Sequence, residues 1–153
     1  MNAWLVCASA LLVAGLVPVV WGVATGPLGR RVVAQNFGTS VVCLVMLLLA
    51  QGYDRPSYTD LALVLAVLGP VGTLVYARLL ADELGETPAW ARAVTVLAIV
   101  VTAPVVIASC VATGPGRAAV KLVVVGVLLG AGNMITSRAL SADGRAPSGA
   151  RHG

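Results

Sequence analysis

Few side chains in this sequence can carry chemistry. The 153 residues hold six carboxylates, ten basic side chains and one histidine. That histidine, His152, sits at the end of a Gly-, Ala-, Ser- and Pro-containing tail, far from any nucleophile it could activate. No group of His, Cys, Asp and Glu has metal-ligand spacing, and no Gly-rich phosphate loop is present. Cys7, Cys43 and Cys110 fall in three different apolar runs without a CxxC pair, the pattern of small packing residues and not of a disulfide framework. The expectation is a protein with no catalytic residue, no cofactor and no metal: not an enzyme.

The groups that remain are polar residues inside apolar runs, where an ionisable side chain is costly and marks function by default. Asp60 opens the run "SYTDLALVLAVLGPVGTLVYARLL". Two readings stay open for it. One is a first-turn carboxylate favoured by the positive end of a helix dipole, with Ser57 or Thr59 as cap. The other is a carboxylate at the outer mouth of a proton or cation path. Gln35, Asn36 and Asn133 are candidates for hydrogen bonds between helices, and Gly126 and Gly130 of "GVLLG" form a small-xxx-small packing motif. Arg78 is expected to snorkel to the headgroups. Pro18, Pro70 and Pro104 lie well inside apolar runs and predict kinks.

The elements that position these residues follow from composition. The chain is 59% hydrophobic and 10% charged, with mean hydropathy +0.96. A soluble domain carries about 25% charged residues, so most of this surface must face lipid. A net charge of +4 would suit nucleic acid in a soluble protein, but the basic residues lie between and after apolar runs, which excludes that partner and points to a bilayer. Five runs are long enough to cross one: 3–24, 32–50, 58–80, 90–112 and 118–135. The first has no basic segment before it and is too long for a signal peptide, so it reads as a retained span. The fold class is thus all-α, a polytopic membrane protein of about five helices, with a disordered tail over 141–153. With the N-terminus outside, the inner segments hold Arg30, Arg31, Arg78, Arg92, Arg138, Arg145 and Arg151, and the outer ones hold Arg55, Arg117 and Lys121. This bias predicts N-out, C-in.

The stretch "VATGP" occurs at 23–27 and again at 111–115, each time closing an apolar run. A glycine past the last turn takes the left-handed cap and proline prevents continuation, so "TGP" predicts a helix stop. Two origins remain open: the same stop chemistry used twice, which the poor alignment of the following helices favours, or an inverted duplication of the transporter kind.

The stretches "GPLGRRVVAQN" and "YTDLALVLAVLGPVGTLVYARLL" resemble the F-type subunit of the multisubunit monovalent cation/proton antiporters of the Mrp type. The match runs through Gly26-Pro27, partly through "RRVVAQN", and closely over 58–80, including Asp60, Gly72-Thr73 and Ala77-Arg78; it covers roughly 1–84. Two departures stand out: Arg30 and Asn36 occupy the positions where that family has acids around its second helix. The following stretch, 85–140, is distantly similar to the last two helices of the G-type subunit of the same complexes, with Arg138-Ala139 as its exit, although that protein's arginine–histidine loop signature is missing.

The resemblance implies an organisation of a three-helix F-like region (1–84), two further spans (85–140) and a tail. It implies an accessory subunit of a sodium or potassium/proton antiporter in the bacterial inner (cell) membrane. Such a protein packs beside larger proton-translocating subunits and shapes the cation path. An assembly protein without an ion path and a stand-alone small transporter are the alternatives.

Overall fold

The computed structural model describes residues 2–79 and 90–143. Within them the chain forms five α-helices: α1 (Ala3–Thr25), α2 (Leu28–Gly52), α3 (Ser57–Leu79), α4 (Trp90–Thr113) and α5 (Arg117–Asp143). All five are long and apolar enough to cross a membrane. The helix α2 starts four residues before the expected 32, since Pro27 serves as its N-cap with φ −61° and can stand where no N–H is needed. The fifth helix runs past the expected 135 to Asp143, because "SRALSAD" contains no strong helix breaker. Residues 141–143, expected to open the tail, are therefore helical; the rest of the tail, with Arg145, Arg151 and His152, lies outside the described residues, as does the connection after Leu79.

The helices continue through Pro18, Pro70 and Pro104, each in the helical interior. The two "TGP" stops differ from each other, and only the second has the expected left-handed glycine. Gly114 takes the left-handed conformation (φ 71°), and its N–H donates to Cys110 O. Gly26 is extended (φ −107°, ψ 161°). Only two residues separate α1 from α2, whereas three separate α4 from α5. Both glycines precede a proline, so the difference goes with link length: the shorter link must enter the next helix at once. The threonines act alike: Thr25 Oγ1 donates to Trp21 O and Thr113 Oγ1 to Ser109 O, each bonding back to the carbonyl one turn earlier in its own helix. The α2–α3 turn uses a non-glycine instead: Asp54 has φ 53°, and Arg55 N–H reaches back to Ala50 O.

Helix α2 is the hub. In its most apolar window 56% of residues are buried, against 11% in α1. It packs against α1, α3 and α4; α3 and α4 in turn pack against α5, so α2, α3, α5 and α4 close a ring and α1 lies outside it. Small residues set the approaches. Gly15 of α1 faces Val41, and Gly22 faces Ala34; Gly69 of α3 faces Thr39; Gly132 of α5 receives the Pro70 ring. Helices α1 and α2 run antiparallel, since Gly22 lies beside Ala34 while Leu5 lies beside Gly52. The ring is filled by Cys43, Leu44, Leu47, Ala62, Ala66, Leu122, Val125 and Leu129. Cys43 fills that core and donates its thiol to Ala62 O at 3.0 Å; Cys7, expected to be a packing residue, is exposed on the outer helix, and none of the three forms a disulfide.

Candidate functional site

Two polar groupings interrupt the apolar bundle, one on each side of its core. The first is a buried layer contributed by three helices. Asn36 Nδ2 of α2 donates to Asn133 Oδ1 of α5 at 2.7 Å. Asn133 Nδ2 donates to Leu129 O at 2.9 Å and, more weakly, to Ser40 Oγ at 3.4 Å. Thr73 Oγ1 of α3 bonds its own Gly69 O at 3.0 Å and reaches Asn36 Oδ1 at 3.5 Å. Ser40 Oγ donates to Asn36 O. Asn36, Ser40, Thr73 and Asn133 are all buried. Each amide thus meets its partners inside the protein, as a polar group at hydrocarbon depth must.

The second grouping is at the opposite end. Lys121 Nζ of α5 approaches Asp60 Oδ1 of α3 at 2.6 Å, with both side chains about half exposed. Asp60 lies in the first turn of α3, as expected, but its cation comes from another helix, 61 residues away in the chain. Nearby on the same end, Gln51 Nε2 donates to Thr113 Oγ1, joining α2 to α4. Ser109 Oγ, one turn before Thr113, is fully buried and has no partner among the described residues.

The other sequence candidates separate. Gln35 is exposed on α2, next to Asn36 but on another face. Gly126 is pressed against Val106 of α4, whereas a Cβ at Gly130 would meet no neighbour; Gly130 lines an open apolar cleft of about 250 Å³ between α4 and α5. A second apolar cleft, about 200 Å³, separates α1 from α4 above Val41 and Thr102. Arg78 is exposed at the end of α3.

Sequence reasoning missed Ser40, and it named Thr73 only within the F-like match and Lys121 only as an outer basic residue, not as members of these groupings. The usable signals were Ser40 one turn after Asn36, and the equal depth of Asn36, Thr73 and Asn133 once consecutive spans alternate in direction.

Chemically, the buried layer offers amides and hydroxyls, which hold helices together and do not exchange protons at physiological pH. The titratable pair is separated from it by the apolar core. No group of three metal-ligating side chains occurs among the described residues.

Comparison with known proteins agrees with the F-like stretch. Residues 30–81 match the family model of Multiple resistance and pH regulation protein F (MrpF / PhaF). No curated protein and no solved structure matches the chain. The matched segment starts at Arg30, near the beginning of the hub helix, and contains the whole of α3, so Asn36, Ser40, Asp60 and Thr73 lie within it while Asn133 and Lys121 lie outside. The match to the MrpF/PhaF family model thus spans residues 30–81, which take in most of the hub helix and the whole of its partner α3.

Proposed function

We propose that the protein is an accessory subunit of a multisubunit monovalent cation/proton antiporter in the cell membrane. It sits N-out, C-in, packs beside the larger subunits that move protons, and has no enzymatic activity of its own. One observation carries this reading: the segment that matches the MrpF/PhaF family forms the centre of a bundle whose interior is closed by buried Leu44, Leu47, Leu122, Val125 and Leu129. A proton relay across about 30 Å of hydrocarbon needs titratable groups spaced along it. This interior supplies a neutral amide layer at one end and a half-exposed ion pair at the other. Coupled exchange then belongs to the partners, and this chain supplies packing surface and a wall of the cation route.

The test is co-purification from native membranes together with reconstitution. The tagged chain should bring down large antiporter subunits, and its deletion should reduce sodium- or potassium-dependent proton flux. A chain that purifies alone and drives exchange in liposomes would replace this reading with a stand-alone transporter. The Asn36–Asn133 pair favours a second reading, an assembly protein without any ion path, because a neutral pair can fasten helices but cannot carry a proton. Deletion that abolishes complex yield, with full flux in any complex that still forms, would select that reading.

A further inference from the structure

We infer that the groove between α2 and α3, at the end of the bundle where α2 begins, binds the phosphate and ester of an anionic glycerophospholipid through Arg31, Tyr76 and Gln35. Such a site does not depend on the antiporter function and needs only that the helices span a bilayer.

The geometry comes from helical register. Arg31, Gln35 and Thr39 follow one another at four-residue intervals, so they lie along one stripe of α2. Thr39 packs on Gly69 of α3, and the stripe turns by about 40° per step from there towards α1, which sets Gln35 and Arg31 at the opening between α1 and α3. Tyr76 is seven residues after Gly69 and therefore shares its α2-facing flank. The Asn36–Thr73 contact fixes the level: going towards this end of the bundle, α2 leads to Gln35 and Arg31 while α3 leads to Tyr76. Helices α1 and α3 do not pack against each other, so the groove opens to the bilayer between them.

The chemistry is that of three donors at graded depth. Arg31 Nε is committed to Gly26 O at 3.1 Å, which holds the guanidinium in place and leaves its terminal nitrogens available among the described residues. Tyr76 is half exposed, and Gln35 is exposed; neither side chain bonds another described residue. Gln35 lies one turn deeper than Arg31, about 6 Å at 1.5 Å per residue. An amide at that depth facing hydrocarbon without a partner is costly. A glycerophospholipid presents a phosphate, which guanidinium binds as a fork, and ester carbonyls immediately beneath it. Arg31 and Tyr76 match the phosphate, and Gln35 Nε2 matches the ester. The described charged side chains at this end are Arg30, Arg31, Arg78 and Arg138, all cationic, so an anionic headgroup fits better than one bearing an ammonium.

Native mass spectrometry of the delipidated chain, titrated with phosphatidylglycerol, phosphatidylcholine or inorganic phosphate, tests this. The wild type should take up one phosphatidylglycerol in preference to phosphatidylcholine and should not respond to inorganic phosphate. Arg31→Gln should weaken that uptake roughly tenfold or more, and Tyr76→Phe and Gln35→Leu should each weaken it measurably. Arg117→Gln, which removes the same charge at the opposite end of the bundle, should leave it unchanged. Tyr76→Phe guards against misfolding, since it removes only a hydroxyl. Equal loss in Arg117→Gln, equal uptake of the two lipids, or equal binding of inorganic phosphate overturns the inference. A photoreactive side chain placed at the exposed Gly72, beside the groove, gives the second measurement in native membranes. Cross-linking to lipid supports the site, and cross-linking to another protein or a second copy overturns it.

Discussion

Replacing Asn133 with leucine should destabilise the bundle by about 1–3 kcal/mol, because it leaves the Asn36 amide buried without its 2.7 Å acceptor. The lost bond alone is a modest term: hydrogen bonds between membrane helices average about 0.6 kcal/mol and reach about 1.7. The rest of the effect comes from the orphaned donor. Thr73 cannot rescue it, since Thr73 Oγ1 lies 3.5 Å from Asn36 Oδ1, on the other side of the amide. Asn36→Leu orphans Asn133 Oδ1 in the same way, while Asn133 Nδ2 keeps Leu129 O. The two single changes should therefore be similar, and the double change Asn36→Leu/Asn133→Leu should be milder than their sum by about 1–2 kcal/mol, since apolar replaces polar on both sides at once. Thr73→Val should cost at most about half a kcal/mol, its interhelical bond being long. The assay is reversible unfolding in mixed detergent micelles, read by helical circular dichroism, for the wild type, both single variants and the double variant. Strict additivity, or an Asn133→Leu protein as stable as the wild type, would show that the pair is not a unit and refute the reasoning.

Gly132→Ala should destabilise by about 1–3 kcal/mol, because its Cβ would run into the Pro70 ring, whereas Gly130→Ala, in open space, should be neutral; equal melting temperatures for the two would contradict this. Asp60→Asn should lower stability by less than about 1 kcal/mol, as expected for a half-exposed ion pair, and should leave transport by the assembled complex intact. Abolished transport at unchanged complex yield would instead put Asp60 on an ion path. A cysteine at Asp54 should react with an impermeant reagent added outside, and one at Thr25 should not, once the three native cysteines are replaced; the reverse pattern would invert the proposed N-out orientation. The purified chain in liposomes should show no sodium- or potassium-dependent proton flux above empty vesicles, and a robust flux would make it a transporter in its own right.

The five spans were legible from run length alone, because lipid demands long apolar stretches closed by Gly, Pro and charge. Their arrangement was not. In water, the buried face of a helix announces itself by being more apolar than the rest. In a bilayer both faces are apolar: Val13 and Val17 of α1 are two-thirds exposed, yet Val41 and Val45 of α2 are buried. Nothing in a string of valines and leucines says which is which. The informative residues were the exceptions to that uniformity. Of the two glycines that the sequence singled out, Gly126 is pressed against Val106 and Gly130 faces open space, while the close approaches at Gly15, Gly22 and Gly132 carried no signal of their own. Asn36 and Asn133 were each readable as hydrogen-bonding residues, while their pairing across 97 positions depended on helix order in the ring. The ion pair was hidden for the same reason, since Asp60 and Lys121 belong to helices that meet only because α3 sits beside α5.

That same ring bears on how the two parts of the chain relate. The family match ends at residue 81, yet its contacts are completed from outside it: Asn36 by Asn133, Asp60 by Lys121, and the ring of Pro70 by Gly132. Helix α5 therefore meets the matched segment at two levels, Lys121 at one end of the core and Gly132-Asn133 at the other. An amide buried at hydrocarbon depth needs a partner wherever it is found, so Asn36 would be left orphaned if α4 and α5 were absent. The acid that the resemblance leads one to expect at position 36 would face the Asn133 amide in this ring, buried and with no cation among the described residues beside it. Asparagine at that position and α5 against it are physically one solution: a neutral side chain that can be fully satisfied from within the chain, in a place where a charge would have to find its partner elsewhere.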